Sequence, residues 1–310
     1  MKTKFYKAMK YIKKPGNIIL KLNYWGLLKW VPDEKLNKLT YRIRIGKKLD
    51  LDNPKTLNEK IQWLKLYGRN PKYTSYVDKY ESKKIVAGLV GEEYVVPLLG
   101  VYDNFDEIDF DKLPNQFVIK TTHDSGGYII CKDKSELDIE KARKKLNRSL
   151  GRNYYDYSRE WPYKNVKPRL IVEEYIVGSD GTEMKDYKFF CFNGEPKFGF
   201  VVEGRTRDKL KIGFFDMEFK QIPVKQGGEK YVIADKITKP HNFEKMIELS
   251  KKLTKDMPFV RMDFVEVEDR LYVGEFTFYH WNGATKFEPD SYDELFGKYL
   301  VLPENKLLGE

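Results

Sequence analysis

The chain has 310 residues, of which 41% are apolar and 34% charged, so it can bury a substantial core and extended disorder is not expected. It contains neither an uncharged apolar run of about 18 residues nor a short apolar stretch with a small-residue cleavage site. Its two cysteines, Cys131 and Cys191, lie far apart in apolar, strand-like segments. These features exclude a collagen, a coiled coil, a membrane-spanning protein and a disulfide-stabilised secreted domain, and predict a soluble cytoplasmic protein.

The net charge of +10 is concentrated at the start of the chain. Residues 1–50 contain 14 basic and 3 acidic residues, whereas the rest is close to neutral. A nucleic-acid-binding protein more often carries positive charge on its main body, so no nucleic-acid partner is expected. Residues 1–32 interleave lysines with aromatic and aliphatic residues, which indicates an amphipathic segment able to lie on the anionic inner face of the plasma membrane. The alternative is a helical pair packed on the body with its lysines exposed.

The first clear signals along the main body are helical. A capping box formed by Thr56 and Glu59 is followed by apolar residues at helical spacing, and Gly68 ends this helix. A second helix is predicted from Val77 to about Leu89. Both helices precede the segment in which strands begin to dominate.

Strands account for most of the remaining signals. A strand over residues 117–119 ends at Lys120, and the loop Thr-Thr-His-Asp-Ser-Gly-Gly separates it from a strand over residues 128–131. Ser135 is predicted to cap the helix that follows. Later elements are predicted as strands at 170–175, 187–192, 197–203, 259–265 and 271–276 and a helix at 241–255. Because few of these strands are separated by a helix, we expect antiparallel hairpins and an α+β fold.

The last predicted hairpin brings two carboxylates together. A three-residue loop at 268–270 would pair Val265 with Val273 and place Asp263 directly opposite Glu275. Two facing carboxylates at roughly 5 Å repel each other unless a positive group lies between them. Mg²⁺ is one such group, because it prefers carboxylate oxygens together with substrate phosphates. The alternative is a simple ion network with the arginine two residues before Asp263.

Two further elements suit an anionic nucleotide. Backbone N–H groups of Ser125-Gly126-Gly127 can approach phosphate oxygens, and Lys120 can add a positive charge at the end of its strand; an ordinary hairpin turn is the alternative. The apolar strand that contains Glu173 and Glu174 turns one carboxylate inward if both of its faces are buried. An inward carboxylate needs a donor such as an adenine amino group; a strand with one wet face is the alternative.

These elements in this order resemble the ATP-grasp superfamily of carboxylate–amine ligases, which includes D-alanine–D-alanine ligase. The matching segments are Val77-Asp-Lys79, Phe117-Val-Ile-Lys120, the Ser-Gly-Gly loop, Val172-Glu-Glu-Tyr-Ile176, Arg261-x-Asp263 and Gly274-Glu275-x-Thr277. From about residue 40 to its end, the chain more closely resembles the TupA-like ATP-grasp family, found with genes for cell-surface polysaccharide and teichuronopeptide synthesis. That resemblance rests on Leu57-Asn-Glu-Lys-Ile-Gln-Trp-Leu64, Asp186-Tyr-Lys-Phe-Phe-Cys-Phe-Asn-Gly194 and Gly274-Glu-Phe-Thr-Phe-Tyr279.

The resemblance implies a fold and a domain organisation. The fold would be the ATP-grasp fold, with antiparallel sheets and flanking helices, preceded by a basic helical segment. Residues 1–50 are expected, from their charge and not from the resemblance, to form that amphipathic segment, and residues 51–115 would form an associated subdomain. Residues 116–310 would form the ATP-grasp domain, with an ATP-binding and a metal-binding subdomain.

The resemblance also implies a binding site for ATP. Its two lysines would hold the α- and β-phosphates, and its glycine loop would close over the triphosphate. Its first glutamate would accept a hydrogen bond from the adenine amino group, while the backbone that follows would read the edge of the ring. The residues so implied are Lys79, Lys120, Ser125, Gly126, Gly127, Glu173, Glu174, Tyr175 and Ile176.

A site for Mg²⁺ is implied beside the triphosphate. Asp263 and Glu275 would carry the metal, and Arg261 would face the transferring phosphoryl group or the acyl-phosphate. Most ATP-grasp ligases have asparagine two residues after the metal-binding glutamate, where this chain has Thr277. Since a hydroxyl is a poorer metal ligand than an amide oxygen, a second metal would be held by Thr277, through water or by Asn282.

The implied reaction is amide or peptide bond formation through an acyl-phosphate. One substrate would be a small-molecule or lipid-linked saccharide carrying a uronic acid or amino sugar, and the other an amino acid or another amine. Lys188, Arg205 and Arg207 are further basic candidates beside the triphosphate or acceptor, with plain surface charges as the alternative. Other functions compatible with the sequence are an ATP-grasp kinase, a glycosyltransferase and a membrane-surface scaffold. The Asp-x-Asp motif typical of a glycosyltransferase occurs as Asp109-Phe-Asp111, in an acidic loop.

Overall fold

The computed structural model describes residues 15–178, 185–203 and 210–309. The helices are α1 Gly16–Tyr24, α2 Asp33–Ile45, α3 Leu57–Tyr67, α4 Tyr73–Val77, α5 Glu81–Val90, α6 Ile139–Leu150, α7 Tyr155–Ser158, α8 Phe243–Leu253 and α9 Ser291–Gly297. The strands are β1 Leu98–Tyr102, β2 Phe117–Thr121, β3 Tyr128–Cys131, β4 Leu170–Glu174, β5 Lys185–Phe192, β6 Glu195–Glu203, β7 Leu210–Asp216, β8 Gln221–Ile222, β9 Lys225–Gln226, β10 Tyr231–Ile233, β11 Phe259–Val267, β12 Arg270–Thr277 and β13 Phe287–Glu288.

The smaller sheet has four antiparallel strands in the order β1–β4–β2–β3. Phe117 and Ile119 point to one face, where they pack with Val172 and with Leu146 of α6 in a closed apolar core. Side chains alternate along a strand, so Lys120 points to the opposite face. That opposite face is turned toward the second sheet and carries the polar residues of the site.

The larger sheet is built around β5 and β11 and has the order β10–β7–β6–β5–β11–β12, with β8 beside β7. All of its pairs are antiparallel except β10 with β7. Val260, Met262 and Phe264 are fully buried on one face, within the aromatic-rich main core. Arg261 and Asp263 therefore point to the other face, toward the smaller sheet. The predicted α+β fold with antiparallel hairpins is confirmed.

The first predicted helix of the main body is confirmed in detail. The Thr56 side chain accepts from the Glu59 backbone N–H, the reciprocal half of the capping box is present, and Gly68 follows the last turn. The second helix, predicted from Val77, is wrong at its start, because Asp78 is extended and separates α4 from α5. The Asp78 carboxylate accepts from the backbone N–H of Tyr80, and this local bond competes with helix continuation.

Two smaller predictions also need correction. Ser135 does not cap α6; it lies in a single 3₁₀ turn, and Asp138 caps the helix by accepting from the Lys141 N–H at 2.9 Å. Sequence patterns also missed β1, whose pairing with β4 joins residues on both sides of the proposed boundary at 115/116. That division into subdomains stays a prediction.

The β11–β12 hairpin has the predicted carboxylate pair in a different register. Val265 pairs with Tyr272 rather than Val273, because the turn has two residues instead of three. A β-bulge beside Asp263 restores the alignment, so Asp263 does lie opposite Glu275. The bulge falls at Gly274, where an added Cβ would come within 3.1 Å of the Asp263 carbonyl oxygen.

Residues 15–32 are hydrogen-bonded to the main body along one side. Asn23 Nδ2 donates to the Tyr157 carbonyl at 2.7 Å, and Arg159 Nη2 donates to the Leu28 carbonyl at 2.8 Å. The opposite side leaves Trp25 53% and Trp30 78% exposed. The packing interpretation thus holds for the inner side of this segment, while residues 1–14 lie outside the described residues. Within the described ranges, no helix is both long and apolar enough to cross a membrane.

Candidate active site

A cleft of about 360 Å³ lies between the two sheets, and we call it the inter-sheet cleft. Its walls come from the polar face of the smaller sheet, the β2–β3 loop and residues of β5, β11 and β12. The residues predicted from sequence that line it are Lys79, Lys120, Ser125, Gly126, Gly127, Glu173, Glu174, Tyr175, Ile176, Lys188, Asp263 and Glu275. Segments nearly 200 residues apart in sequence therefore meet in one place.

A buried carboxylate between two lysines forms one wall of the inter-sheet cleft. Glu173 Oε1 lies 2.8 Å from Lys83 Nζ, and its Oε2 lies 2.5 Å from Lys120 Nζ. Burial opposes ionisation of Glu173, but Lys120 and Lys83 outweigh it and lower its pKa to about 2. The carboxylate fixes both ammonium groups on the cleft wall. A role for Glu173 in accepting from an adenine amino group stays a prediction.

The β2–β3 loop has a rigid base and an open tip. The buried Asp124 carboxylate accepts from the hydroxyls of Thr121 and Ser149, and the Asp124 carbonyl accepts from Lys79 Nζ at 2.6 Å. Gly127 is required at the base, since a Cβ there would lie 2.2 Å from both of those hydroxyl oxygens. Ser125 and Gly126 at the tip are exposed. Their backbone N–H groups can therefore meet a ligand without rearrangement of the base.

The facing carboxylates lie at the far wall of the cleft. Arg261 holds Asp263 with two bonds, Nε to Oδ1 at 2.6 Å and Nη2 to Oδ2 at 2.7 Å, and Lys188 Nζ lies 3.0 Å from Oδ2. Burial disfavours the charged form of Asp263, yet Arg261 and Lys188 keep its pKa below the ordinary value. Glu275 is half exposed and 3.5 Å from Arg261. The carboxylate pair is therefore present together with the predicted ion network around Arg261, while binding of Mg²⁺ between the two carboxylates stays a prediction.

The donor set suits Mg²⁺ only together with a substrate. Asp263 is ionised and Glu275 lies opposite it, so both are hard oxygen donors on the cleft wall; the oxygens of Asp263 also accept from Arg261, and Glu275 is the more open of the two. No group of three or more acidic, histidine or cysteine ligands occurs among the residues described. Mg²⁺ is commonly bound by one or two carboxylates plus substrate phosphates and water. The pair fits that pattern and not a metal cage made entirely of protein ligands.

A family model described as TupA-like ATPgrasp matches residues 59–301, more than three quarters of the chain. The chain belongs to the TupA-like ATPgrasp family. The resemblance inferred from the short motifs is therefore confirmed, and the two antiparallel sheets that face each other across the cleft form the ATP-grasp fold. No curated protein matches the sequence significantly.

Several solved structures are similar to this TupA-like chain. The D-alanine–D-alanine ligase of Bacillus anthracis complexed with ATP is 19% identical, with 65% of this chain and 54% of that one covered and a TM-score of 0.40. The ATP-grasp ligase PsnB complexed with minimal precursor is 10% identical, with 68% of this chain and 54% of that one covered and a TM-score of 0.38. The Helicobacter pylori D-alanine–D-alanine ligase is 16% identical, with 73% of this chain and 61% of that one covered and a TM-score of 0.38. The chain thus spans less than two thirds of the length of each.

A buried relay in the TupA-like chain aims Arg261, and sequence reasoning missed it. Gln226 Nε2 donates to the Thr285 carbonyl at 2.8 Å, which leaves Gln226 Oε1 facing His280 Nε2 at 2.8 Å. His280 Nε2 must then carry the proton, and its Nδ1 accepts from Arg261 Nη1 at 2.7 Å. Burial, reinforced by the charge of Arg261, lowers the pKa of His280 well below its usual value. The imidazole is therefore neutral and holds the guanidinium toward Asp263.

The remaining predicted residues fall in different places. Thr277 Oγ1 accepts from Arg261 Nη2 at 3.0 Å and lies 3.4 Å from Glu275 Oε1, so its hydroxyl bridges two site residues. The Asn282 side chain accepts from the buried Lys65 instead of pointing at Glu275. Arg205 and Arg207 lie outside the described residues.

The Asp-x-Asp motif, Asp109-Phe-Asp111, does not line the inter-sheet cleft, in which Asp263 and Glu275 lie. Asp109 caps a single 3₁₀ turn, and its side chain accepts from the Asp111 backbone N–H at 3.2 Å. Lys112 pairs with Asp109 on the same turn at 3.0 Å. The motif is thereby accounted for as a local turn.

Proposed function

We propose that the protein is an ATP-dependent carboxylate–amine ligase that works through an acyl-phosphate. One observation carries the proposal: the inter-sheet cleft brings together lysines suited to phosphate, a glycine loop with an open tip and a facing pair of carboxylates. A triphosphate needs all three, because its charge has to be neutralised from several sides. Membership of an ATP-grasp family supports the same conclusion.

ATP with Mg²⁺ is the proposed nucleotide. Lys79 and Lys120 take the α- and β-phosphates, and the tip of the Ser125–Gly127 loop covers the triphosphate. The backbone at Tyr175 or Ile176 reads the adenine edge, next to Glu173 and Glu174. Where Mg²⁺ is bound, Asp263 and Glu275 hold it, and it neutralises charge on the transferring phosphoryl group.

In the first step, an oxygen of the substrate carboxylate attacks the γ-phosphorus of ATP, and the bond to the β-phosphate oxygen breaks to release ADP. Arg261 and Lys188 face the phosphoryl group and offset its negative charge during transfer. In the second step, an amine nitrogen attacks the acyl carbon of the acyl-phosphate, and phosphate leaves with the bonding electrons. The protein contributes position and charge, which are the main sources of catalysis in phosphoryl transfer.

The proposed substrates are a uronic acid or amino sugar, free or lipid-linked, and an amino acid or other amine. The association of the TupA-like family with genes for surface-polysaccharide synthesis supports a saccharide as one substrate. Incubation of the full chain with MgATP, glucuronate or galacturonate and a mixture of amino acids should yield ADP together with an amide of the expected mass. Hydroxylamine should trap the acyl-phosphate as a hydroxamate. A stable phosphorylated sugar would indicate a kinase instead, and product without ATP would contradict the proposal.

We also propose that the outer side of residues 15–32 attaches the enzyme to an anionic membrane surface. Leu27 and Trp30 are 57% and 78% exposed there, and Lys21 and Lys29 lie on the same segment. Apolar side chains that enter the interface together with lysines near anionic headgroups give reversible binding. Such attachment would present the enzyme to a lipid-linked saccharide.

Co-sedimentation with vesicles of phosphatidylglycerol and phosphatidylcholine tests the attachment. The full chain should bind at low salt and dissociate as the Debye length falls from about 10 Å to 3 Å. Leu27→Ser with Trp30→Ser should weaken binding, whereas the matched pair Val301→Ser with Leu308→Ser, which are 67% and 61% exposed elsewhere, should not. Full-length protein that stays in the supernatant with anionic vesicles would contradict the idea.

A further inference from the structure

A second and larger cleft, of about 560 Å³, adjoins the inter-sheet cleft. The two clefts share Asp124, Ser125 and Glu275 as wall residues. Arg261 and Thr277 also line the larger one, so it opens onto the proposed site of phosphoryl transfer. We call it the tyrosine cleft, after the tyrosines of residues 154–163 that form one wall. None of the roles predicted from sequence involves that wall.

The tyrosine cleft contains a buried carboxylate that is poorly satisfied. Glu160 is 6% exposed and lies on the cleft wall. Within the described part of the chain, its carboxylate accepts one hydrogen bond, from the Tyr154 hydroxyl at a long 3.5 Å, and has no ion-pair partner within 4 Å. Buried carboxylates normally accept several hydrogen bonds or pair with a cation. Glu160 therefore lacks a positively charged donor that a ligand in the cleft can supply.

Aromatic rings line the same cleft as this carboxylate. The Tyr154 ring centroid lies 4.7 Å from that of Tyr163 and 5.0 Å from that of Tyr157, and the cleft is also lined by Trp281 and Tyr231, with centroids 5.6 Å apart. The faces of aromatic rings attract cations, most strongly where water is excluded. A carboxylate in a cleft lined by aromatic rings is the combination that recognises an ammonium group.

The positive groups of the tyrosine cleft differ in whether they are already paired. Arg159 is bound to Asp33 and to backbone carbonyls, and Arg261 is bound to Asp263. Arg44 also lines the cleft at its solvent-exposed side, and no carboxylate of the described residues lies within 4 Å of it. The cleft thus offers a buried acid without an ion-pair partner within 4 Å, Glu160, and an exposed base, Arg44. A zwitterion complements both.

We propose that the tyrosine cleft binds a free amino acid as the nucleophilic substrate, with its ammonium group at Glu160 and its carboxylate at Arg44, and that Glu160 accepts the ammonium proton. The binding part of this inference stands on the cleft alone. The proton transfer rests on the proposed ligase function, because it prepares the amine for attack on the acyl-phosphate.

The proposed step is balanced in atoms and charge. The ammonium gives one proton to the Glu160 carboxylate, and the freed nitrogen lone pair forms the bond to the acyl carbon. The bond between that carbon and the phosphate oxygen breaks, and the departing phosphate takes the second nitrogen proton. Burial raises the pKa of Glu160 to about 8, so the carboxylate form is favoured once the positively charged ammonium group lies beside it, and that carboxylate is then a strong base. The groups that act on Glu160 are Lys65 from α3, Tyr154, Tyr163, Glu275 and Arg261.

Binding can be measured without any knowledge of the carboxylate substrate. Each of the twenty standard amino acids is titrated into the full chain with and without MgADP, and at least one should bind. Its N-acetyl derivative and its decarboxylated amine should bind less tightly. Glu160→Gln should weaken the amino acid about tenfold to hundredfold and abolish the preference over the N-acetyl derivative. Arg44→Met should abolish the preference over the decarboxylated amine. No binding by any amino acid, or unchanged preferences in both variants, would overturn the proposal.

Kinetics separate this inference from the proposed function. Hydroxylamine is largely unprotonated at neutral pH and needs no base, so hydroxamate formation should persist in Glu160→Gln while amide formation falls at least about tenfold. The control Glu140→Gln alters a carboxylate that is 80% exposed on α6 and should leave both rates unchanged. Hydroxamate formation with equal amide rates in wild type and Glu160→Gln refutes the base. Absence of hydroxamate from the wild type refutes the ligase function itself.

Discussion

The inter-sheet cleft and the tyrosine cleft meet at Ser125 and Glu275 but are assembled from different kinds of sequence. The inter-sheet cleft takes its residues from strand ends and one tight loop, where alternation and glycine fix the direction of each side chain. The tyrosine cleft takes its residues from α1, α2, residues 154–163 and the segment after β12. The proposed chemistry shared with other ATP-grasp proteins thus lies in short motifs, whereas the proposed substrate choice lies in long-range packing.

The largest effect is expected at the wall that both clefts share. Glu275→Gln removes the charge of a half-exposed carboxylate, so the fold should remain while turnover falls by about 10²–10³-fold through lost charge compensation. Turnover and the melting temperature are measured together. Glu195→Gln is a matched control, since Glu195 is half exposed like Glu275 and forms its own ion pair, with Lys251. Loss of stability with turnover intact would mean that Glu275 serves only an ion network.

A stability effect is expected from the buried carboxylate of the inter-sheet cleft. Glu173 has a pKa of about 2 in the fold against an ordinary 4.5, so its ionised form stabilises the native state above pH 4.5. That contribution, about 3 kcal/mol, is lost as the pH falls from 4.5 towards 2. Urea unfolding at several pH values should show a shallower loss in Glu173→Gln. Equal pH slopes in the two proteins would contradict the ion pairs with Lys83 and Lys120.

ATP affinity should distinguish the two clefts by calorimetry. Lys120→Ala should weaken MgATP binding by about 1.5–3 kcal/mol, the range of a charged hydrogen bond, while amino-acid binding in the tyrosine cleft stays unchanged. Lys83 still pairs with Glu173 in this variant, so the fold should persist. Lys112→Ala, at a side chain 84% exposed, is the control. Equal MgATP affinity in wild type and Lys120→Ala would remove Lys120 from the nucleotide site.

Local patterns predicted the inter-sheet cleft well because its motifs are short. Lys120 and the glycine loop belong to a single hairpin, and the capping box of α3 is complete within four residues. Asp263 was correctly predicted to lie opposite Glu275, although the predicted register of the residues nearer the turn was wrong. The two errors cancel because the turn is one residue shorter than predicted and a β-bulge adds one residue. A bulge leaves little trace in sequence other than Gly274.

The residues that sequence reasoning missed depend on contacts between distant segments. Lys83 on α5 gains its partner Glu173 on β4 only through a contact between segments 90 positions apart in the chain. His280 and Gln226 are one hydrogen bond apart although 54 residues separate them. A lone histidine in an aromatic segment carries no signal of such a relay. Only the positions of the polar atoms in three dimensions reveal it.

The smallest effect is expected at Thr277, which lines the tyrosine cleft beside the carboxylate pair. Its hydroxyl bonds to Arg261 and approaches Glu275, so Thr277→Val should remove a positioning bond worth about 0.5–1.5 kcal/mol. Turnover should then fall by roughly two- to twelvefold, with the Mg²⁺ concentration for half-maximal rate unchanged.

Thr277→Ser retains the hydroxyl and should restore turnover. A direct metal ligand would behave differently: its loss would raise the Mg²⁺ requirement strongly and lower turnover by orders of magnitude. The Mg²⁺ titration of Thr277→Val therefore decides whether the residue that replaces the usual asparagine binds metal or aims Arg261. Since the hydroxyl already lies within hydrogen-bond distance of the guanidinium, the structure favours the second role.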